Sequence, residues 1–443
     1  MAIISAFSKC LVPPAQGEVT PPEPVANKNW TPGHYIEIGV TGTSARAAQW
    51  STPNNTSIST RGVYQRLQND TLGRWAGVML RYGWVELEGN TAGSYNAGLD
   101  NLDSYLEQIA NFPGKKIMLF IAVKTFGSGS MSVPLYMRNS ATYADGTNYT
   151  GSGNGQFAYA SSIGGPGGYH PNFQVPAVAD RFIALLDAIA TRFNNHPRFE
   201  AIVISEAALA KPIGAPDSVT TFNNTSLYAK WFDGMGDALI AGKQSLSNIQ
   251  ISQWVNSPRN FMSEWVPRIR SAGIGIGMTD LCTEDVGFFY RDDLPSNNTY
   301  PGNVQHCQET DGLAIVTGHM SAPAMDGTST GRCQEQQTIQ NQPKVYPAYP
   351  GVAISRQASM DFAINTVKCS HVIWIHNTTN QPTTGMIDPN IPKPTANSPG
   401  CAQNPWTAYG NYGGQSHNKI TDEFMQNPSS VITTRTSRPA GWT

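Results

Sequence analysis

Short runs rich in apolar, branched and aromatic residues alternate along this chain with longer stretches in which apolar residues return every three or four positions. The runs fall at 34–41, 76–85, 116–123, 200–206, 248–255, 273–281, 312–319 and 370–377. Their length and their branched and aromatic residues predict strands covered on both faces. Between them the period changes to that of a helix. Over 176–193 Val178, Phe182, Leu185, Leu186, Ile189 and Phe193 share one helical face, and the breaker cluster Asn194-Asn195-His196-Pro197 closes it. Leu99, Leu102, Leu106 and Ile109 precede the third run in the same way, and Met360, Phe362, Ala363 and Val367 the eighth. Strands separated by amphipathic helices pair in parallel. Eight such units predict an α/β fold of the closed (β/α)8 TIM-barrel type rather than an open doubly wound sheet. A rival for the seventh strand, 345–354, contains Pro347 and Pro350, which cannot donate to a ladder.

The stretches without periodicity divide the chain. Residues 1–33 hold six prolines between positions 13 and 32 and predict an extended N-terminal arm. The barrel is expected over 34–378, with insertions at 127–175 and 282–352 on its C-terminal face, and 379–443 as an irregular C-terminal wrap. The first insertion carries Tyr136, Tyr143, Tyr149, Phe157, Tyr159 and Tyr169. These rings could stack on sugars, or fill a small core of the loop itself.

Composition narrows the partners. Only 14% of the 443 residues are charged, the net charge is −2 and there is no Lys/Arg run, so no nucleic-acid partner is expected. A neutral, polar, aromatic surface suits neutral polyhydroxylated ligands; it would equally suit a secreted or virion protein that avoids charge for other reasons. No apolar stretch reaches about 18 residues, and no membrane insertion is expected. The first ten residues lack a basic n-region, so no signal peptide is visible. Asn-x-Ser/Thr triplets at Asn54, Asn148, Asn223, Asn297 and Asn377 would be glycosylation acceptors in a eukaryotic secretory pathway, but most arise by chance in a chain so rich in Asn and Thr; an extracellular or periplasmic, secreted location is expected. Six cysteines, none in a C-x-x-C pair, argue against a zinc site; disulfides and buried free thiols both fit the count. Neither Gly273-Ile274-Gly275-Ile276-Gly277 nor Ser161 to Gly168 meets the requirements of a nucleotide-binding loop, and no cofactor is expected.

The candidate chemistry sits where strands end. Glu206 closes the fourth run, where barrel enzymes carry catalytic groups, and is the candidate general acid and base. Asp280, at the end of the sixth run, and Glu284, just beyond it and followed by Asp285, are candidates for a second carboxylate. A gap of about 5 Å from Glu206 would retain configuration at the reacting carbon, and a wider one would invert it. Glu86 and Glu88 alternate along the second run and are read as salt-bridged inside the barrel. Arg81, Trp254, His319 and His376 are candidates for contact with substrate, with Arg81 able to orient a carboxylate.

Arg81-Tyr82-Gly83-Trp84-Val85-Glu86-Leu87-Glu88, Gly93-Ser94-Tyr95, Leu99-Asp100, Leu102-Asp103 and Lys115 to Ile121 together resemble the second and third units of clan-A glycoside hydrolases, such as cellulases and β-galactosidases. Arg192-Phe193 to Glu206 resembles their fourth unit, and Trp374, in Val372-Ile373-Trp374-Ile375-His376, their strand-eight aromatic. The resemblance covers roughly 34–378. It implies hydrolysis of O-glycosidic bonds in a carbohydrate substrate, Glu206 as the acid/base, and Trp84 and Trp374 beside the sugar. Two departures stand out: the family's Asn-Glu pair is Ser205-Glu206 here, and no glutamate ends the seventh run between Leu313 and Ser321. A non-catalytic barrel that binds glycans or builds a virion or cell surface is the alternative. Polysaccharide cleavage by elimination, which generally uses a basic cleft, is disfavoured by the near-neutral charge.

Overall fold

The computed structural model describes residues 28–51, 62–126, 131–160, 167–279, 281, 300–320, 360–376 and 421–442, except 423, 433, 434 and 441. Eight parallel strands close into a barrel: β1 (Gly33–Ile38), β2 (Trp75–Gly83), β3 (Lys116–Ala122), β6 (Phe199–Ile204), β7 (Gln250–Val255), β8 (Gly275–Met278), β9 (Val316–Met320) and β10 (His371–His376), the last pairing with β1. The fold is therefore the (β/α)8 barrel, and each of the eight apolar runs supplies one strand. β4 (Gln156–Tyr159) and β5 (Gly168–Pro171) form a separate antiparallel pair within the first insertion.

Strand alternation sorts the apolar residues into two cores. Tyr35, Met79, Met118, Phe120, Ala201, Val203, Trp254, Ile315 and Ile373 fill the lumen. Their neighbours Ile36, Val78, Leu119, Ile202 and Val372 face outward, where the helices cover them. That outer layer is built from α1 (Thr43–Ser51), α2 (Val63–Gln68), α3 (Trp84–Leu87), α4 (Asn96–Gln108), α5 (Leu135–Arg138), α6 (Pro176–Phe193), α7 (Leu227–Ser245), α8 (Arg259–Ser271) and α9 (Asn303–Thr310), with a π-helical turn at Phe362–Thr366 before β10. α6 begins at Pro176, whose missing N–H costs nothing in a first turn, and ends at Phe193 with Asn194 as its cap, as the spacing predicts.

The N-terminal end of the barrel is closed by side chains. The His371 ring stacks on Tyr35 at 5.5 Å and meets the edge of Trp30 at 5.2 Å. Its Nε2 lies 3.2 Å from Glu200 Oε1, which also accepts from the Thr31 N–H. The Tyr35 hydroxyl donates to the Thr31 carbonyl at 2.7 Å.

Several expectations change. β2 stops at Gly83 and the chain turns into α3, so Glu86 and Glu88 are not strand neighbours facing the lumen. They are salt-bridged, but outside the barrel: Glu86 to Arg46 of α1, and Glu88 to Arg181 of α6. In the first insertion Phe157 and Tyr159 pack on His170 at 5.3 and 4.7 Å, so these two rings serve the loop's own core. Cys307 and Cys369 are buried free thiols, their ionisation pushed up by burial. Cys10, Cys282, Cys333 and Cys401, most of 1–33 and the rival strand at 345–354 lie outside the described residues. Among the described residues no helix is long and apolar enough to cross a membrane.

Candidate active site at the barrel mouth

Near the C-terminal ends of the strands the lumen turns from apolar to polar. Two residues beyond Tyr35 on β1, Glu37 points inward and is fully buried. Arg81 of β2 donates to its Oε1 through Nε at 3.0 Å and Nη2 at 2.7 Å, while the guanidinium lies 4.4 Å over the Phe120 ring. From β9, His319 Nε2 approaches Glu37 Oε2 at 2.6 Å. His319 Nδ1 lies 2.9 Å from the Thr279 carbonyl, which can only accept, so this nitrogen carries a proton. Burial alone would raise the Glu37 pKa, but the charges and hydrogen bonds of Arg81 and His319 outweigh it and hold the carboxyl down to about 2.

Trp254 completes this layer. Its ring stacks on His319 at 5.0 Å and its indole donates to Thr317 Oγ1 at 3.0 Å. Gly277 of β8 makes room for it, since a Cβ there would fall 2.5 Å from Trp254 Cδ1 and 2.1 Å from Thr317 Oγ1.

Glu206 stands at the same mouth, just beyond β6, with 16% of its side chain exposed. Lys124 Nζ donates to its Oε1 and Asn256 Nδ2 to its Oε2, both at 2.8 Å. Each carboxylate oxygen is thus an acceptor. Ser205 explains why the lysine is near. Its Oγ accepts from the Val123 and Lys124 N–H groups at 3.0 and 3.2 Å, while its own N–H donates to the Ile121 carbonyl at 3.0 Å. The hydroxyl that replaces the resembled family's asparagine therefore ties the segment after β3 to the residue before Glu206.

A cleft of about 520 Å³ opens beside Lys124, lined among others by Arg81, Glu86, Phe126, Met131 and Arg138, and Glu206 adjoins it through Lys124 rather than lining it. Phe126 is 62% exposed, and Lys124 Nζ lies 4.6 Å from its ring centre. Among the described residues no group of three or more His, Cys, Asp or Glu is placed to hold a metal ion.

Of the sequence candidates, Arg81, Trp254 and His319 share the upper lumen, and Glu206 lies at its rim. Trp84, Trp374 and His376 do not face it. Trp84 falls in α3 rather than on a strand and is buried between Phe173 and Phe182, its indole donating to Glu88 at 3.0 Å. Trp374 and His376 occupy the outward parity of β10. The first packs on Trp75 and donates to His34 Nδ1 at 3.0 Å; the second sits 3.3 Å from Arg66, its pKa held well below the usual histidine range by burial and then by that guanidinium. Asp280 and Glu284 lie outside the described residues; beside them, Thr279 and Leu281 are both bonded to His319. Glu37, Lys124, Phe126 and Asn256 were not singled out from sequence. Period-two spacing from Tyr35 marks Glu37, whereas the other three follow strand ends and carry no periodic signal.

Neither a family model nor a curated protein matches this chain. Among solved structures it is similar to a family 5 xyloglucanase from Paenibacillus pabuli, at 14% identity over 78% of this chain and 91% of that one, with a TM-score of 0.39. It is also similar to a xyloglucan-specific beta-1,4-glucanase from a ruminal metagenomic library, at 11% identity over 81% and 86%, TM-score 0.40. A third is a beta-galactosidase from the psychrophilic Marinomonas ef1, at 9% identity over 77% of this chain and 53% of that one, TM-score 0.40. Likenesses this weak carry no argument about activity, and the barrel assignment rests on the strand order itself.

Proposed function

We propose that this protein is a glycoside hydrolase that cleaves O-glycosidic bonds of a largely neutral poly- or oligosaccharide with two carboxylates, in the extracellular or periplasmic space. The observation that carries the reading is the placement of Glu206: a partly exposed carboxylate just past the fourth barrel strand, positioned by Lys124 and Asn256 beside an open cleft with an exposed aromatic ring. Glu206 would enter the first step protonated, in place of the ionised form whose oxygens accept from Lys124 and Asn256, give that proton to the leaving oxygen as the glycosidic bond breaks, and take one back from water in the second step. Asp280 or Glu284 attacks the anomeric carbon, which makes retention of configuration the favoured outcome. The chain flanking Asp280 supports that position, because Thr279 and Leu281 are both anchored to His319 at the mouth. Glu37 is unsuited to the task, being fully buried and engaged by Arg81 and His319.

A glycan-binding barrel without catalysis is the second reading, favoured by β9 ending in His319-Met320 with no carboxylate. Screening wild type and Glu206→Gln on a panel of neutral glycans for released reducing ends separates the two. Release by wild type that falls about 10³-fold in the variant supports hydrolysis through Glu206. Release unaffected by the substitution removes Glu206 from the mechanism, and binding without release favours the second reading.

A further inference from the structure

The cleft beside Glu206 carries more positive charge than its own carboxylates neutralise. Arg81, Lys124 and Arg138 line it, against Glu86. Arg81 is engaged by Glu37, and Lys124 by Glu206. Glu86 is occupied by Arg46 at 3.0 Å and by the N–H groups of Gly42 and Gly83 at 2.7 and 2.8 Å. Arg138 is left over. Among the described residues no carboxylate pairs with it, and its Nε is buried without a hydrogen-bond partner. Its backbone is held in place, the carbonyl accepting from Asn154 Nδ2 at 3.2 Å. A guanidinium that no described carboxylate engages fits a planar or tetrahedral oxyanion, which it can grip through two N–H groups. Phe126, exposed on the same wall and next to Lys124, offers a flat apolar face of the kind that stacks on a sugar ring.

We propose that this cleft binds an acidic substituent, a carboxylate or a sulfate ester, on an otherwise neutral glycan, with Arg138 as the anchor and Phe126 beneath the ring that carries it. The assignment of that glycan as the substrate rests on the glycoside hydrolase reading above; the binding itself does not. Low charge over the whole chain does not oppose it, because one uncompensated cation at a single cleft leaves the total almost unchanged.

The test is an array in which each glycan backbone is present in neutral, carboxylated and sulfated forms, for example cello-oligosaccharides beside β-1,4-glucuronan oligosaccharides and 6-O-sulfated cello-oligosaccharides of equal length. The full chain is titrated calorimetrically with the best set. The acidic form is expected to bind at least tenfold more tightly than its neutral counterpart, an advantage that shrinks as salt is added. Arg138→Gln should erase the advantage while leaving neutral affinity within about twofold, and Arg138→Lys should keep part of it. The better of the two acidic arms identifies the oxyanion. If no acidic glycan exceeds its neutral counterpart, or the advantage survives Arg138→Gln in protein of unchanged circular dichroism, the proposal is overturned. Product release is scored separately: preferential binding without cleavage sinks the hydrolase reading alone, and cleavage without preference sinks the acidic-group site alone.

Discussion

Lys124 Nζ lies 2.8 Å from Glu206 Oε1, and the two meet because Ser205 draws the segment after β3 against the end of β6. The carboxylate's aim is therefore set by a residue 82 positions away, through one hydroxyl. A serine here is not an idle stand-in for an amide.

Lys124→Met removes one of the two groups that hold Glu206. Loss of alignment of about an ångström is expected to lower the rate of reducing-end release by roughly 10- to 100-fold. Lys124→Arg should recover part of the loss. An unchanged turnover in Lys124→Met would remove the lysine from the positioning of Glu206.

Glu37→Gln strips a fully buried carboxylate from between Arg81 and His319 and leaves their charge unopposed. The expected destabilisation is about 3 kcal/mol, read as a drop in the urea midpoint at constant slope. The sign with pH follows from the depressed pKa: above the ordinary carboxylate range the stabilisation is complete, and it is lost as pH falls from there through about 2. A variant as stable as wild type at pH 7 would contradict the buried ion-pair account.

Gly277→Ala places a methyl group where Trp254 and Thr317 already stand. The strain should cost roughly 1–3 kcal/mol and displace the indole from His319. A tryptophan emission spectrum and thermal midpoint identical to wild type would show that β8 yields more easily than its neighbours allow.

The strands were legible because both cores of the barrel draw mainly on apolar, branched and aromatic side chains, so most strands read as short apolar-rich runs with polar residues such as Glu37, Gln253 and His319 scattered among them. The same property hides direction. In Ile373-Trp374-Ile375-His376 nothing in the pattern says that Ile373 faces the lumen and Trp374 the helices, and two site candidates were read onto the wrong face. Trp84 was misplaced for another reason: the run 76–85 continues past Gly83, where β2 gives way to α3. Lys124 and Phe126 belong to a connecting segment, where tertiary contacts such as the Ser205 clamp decide position and no period exists to reveal it, and Arg138 closes a one-turn helix, α5, too short to show a period.

His34 gives a second handle on pH. Its Nδ1 accepts from the Trp374 indole, so the ring is neutral; burial, with a smaller contribution from Arg74, holds its pKa down to about 3. An unfolded chain takes up a proton near 6.5 that the folded chain refuses, so stability falls as pH drops from 6.5 towards 3. The slope is about 1.4 kcal/mol per pH unit for this one residue. His34→Gln, whose amide oxygen can still accept from Trp374, should flatten the curve by that amount in chemical denaturation at pH 4, 5 and 6. An identical slope in the variant would mean that His34 is protonated inside the fold.

Trp30, Tyr35, Glu200 and His371 stopper the lower end of the barrel. Among the described residues the lumen is therefore shut from below, and on the glycoside hydrolase reading substrate, water and products would all use the rim that Arg81, Lys124 and Phe126 share, where a slowly leaving product would hold up the next turnover.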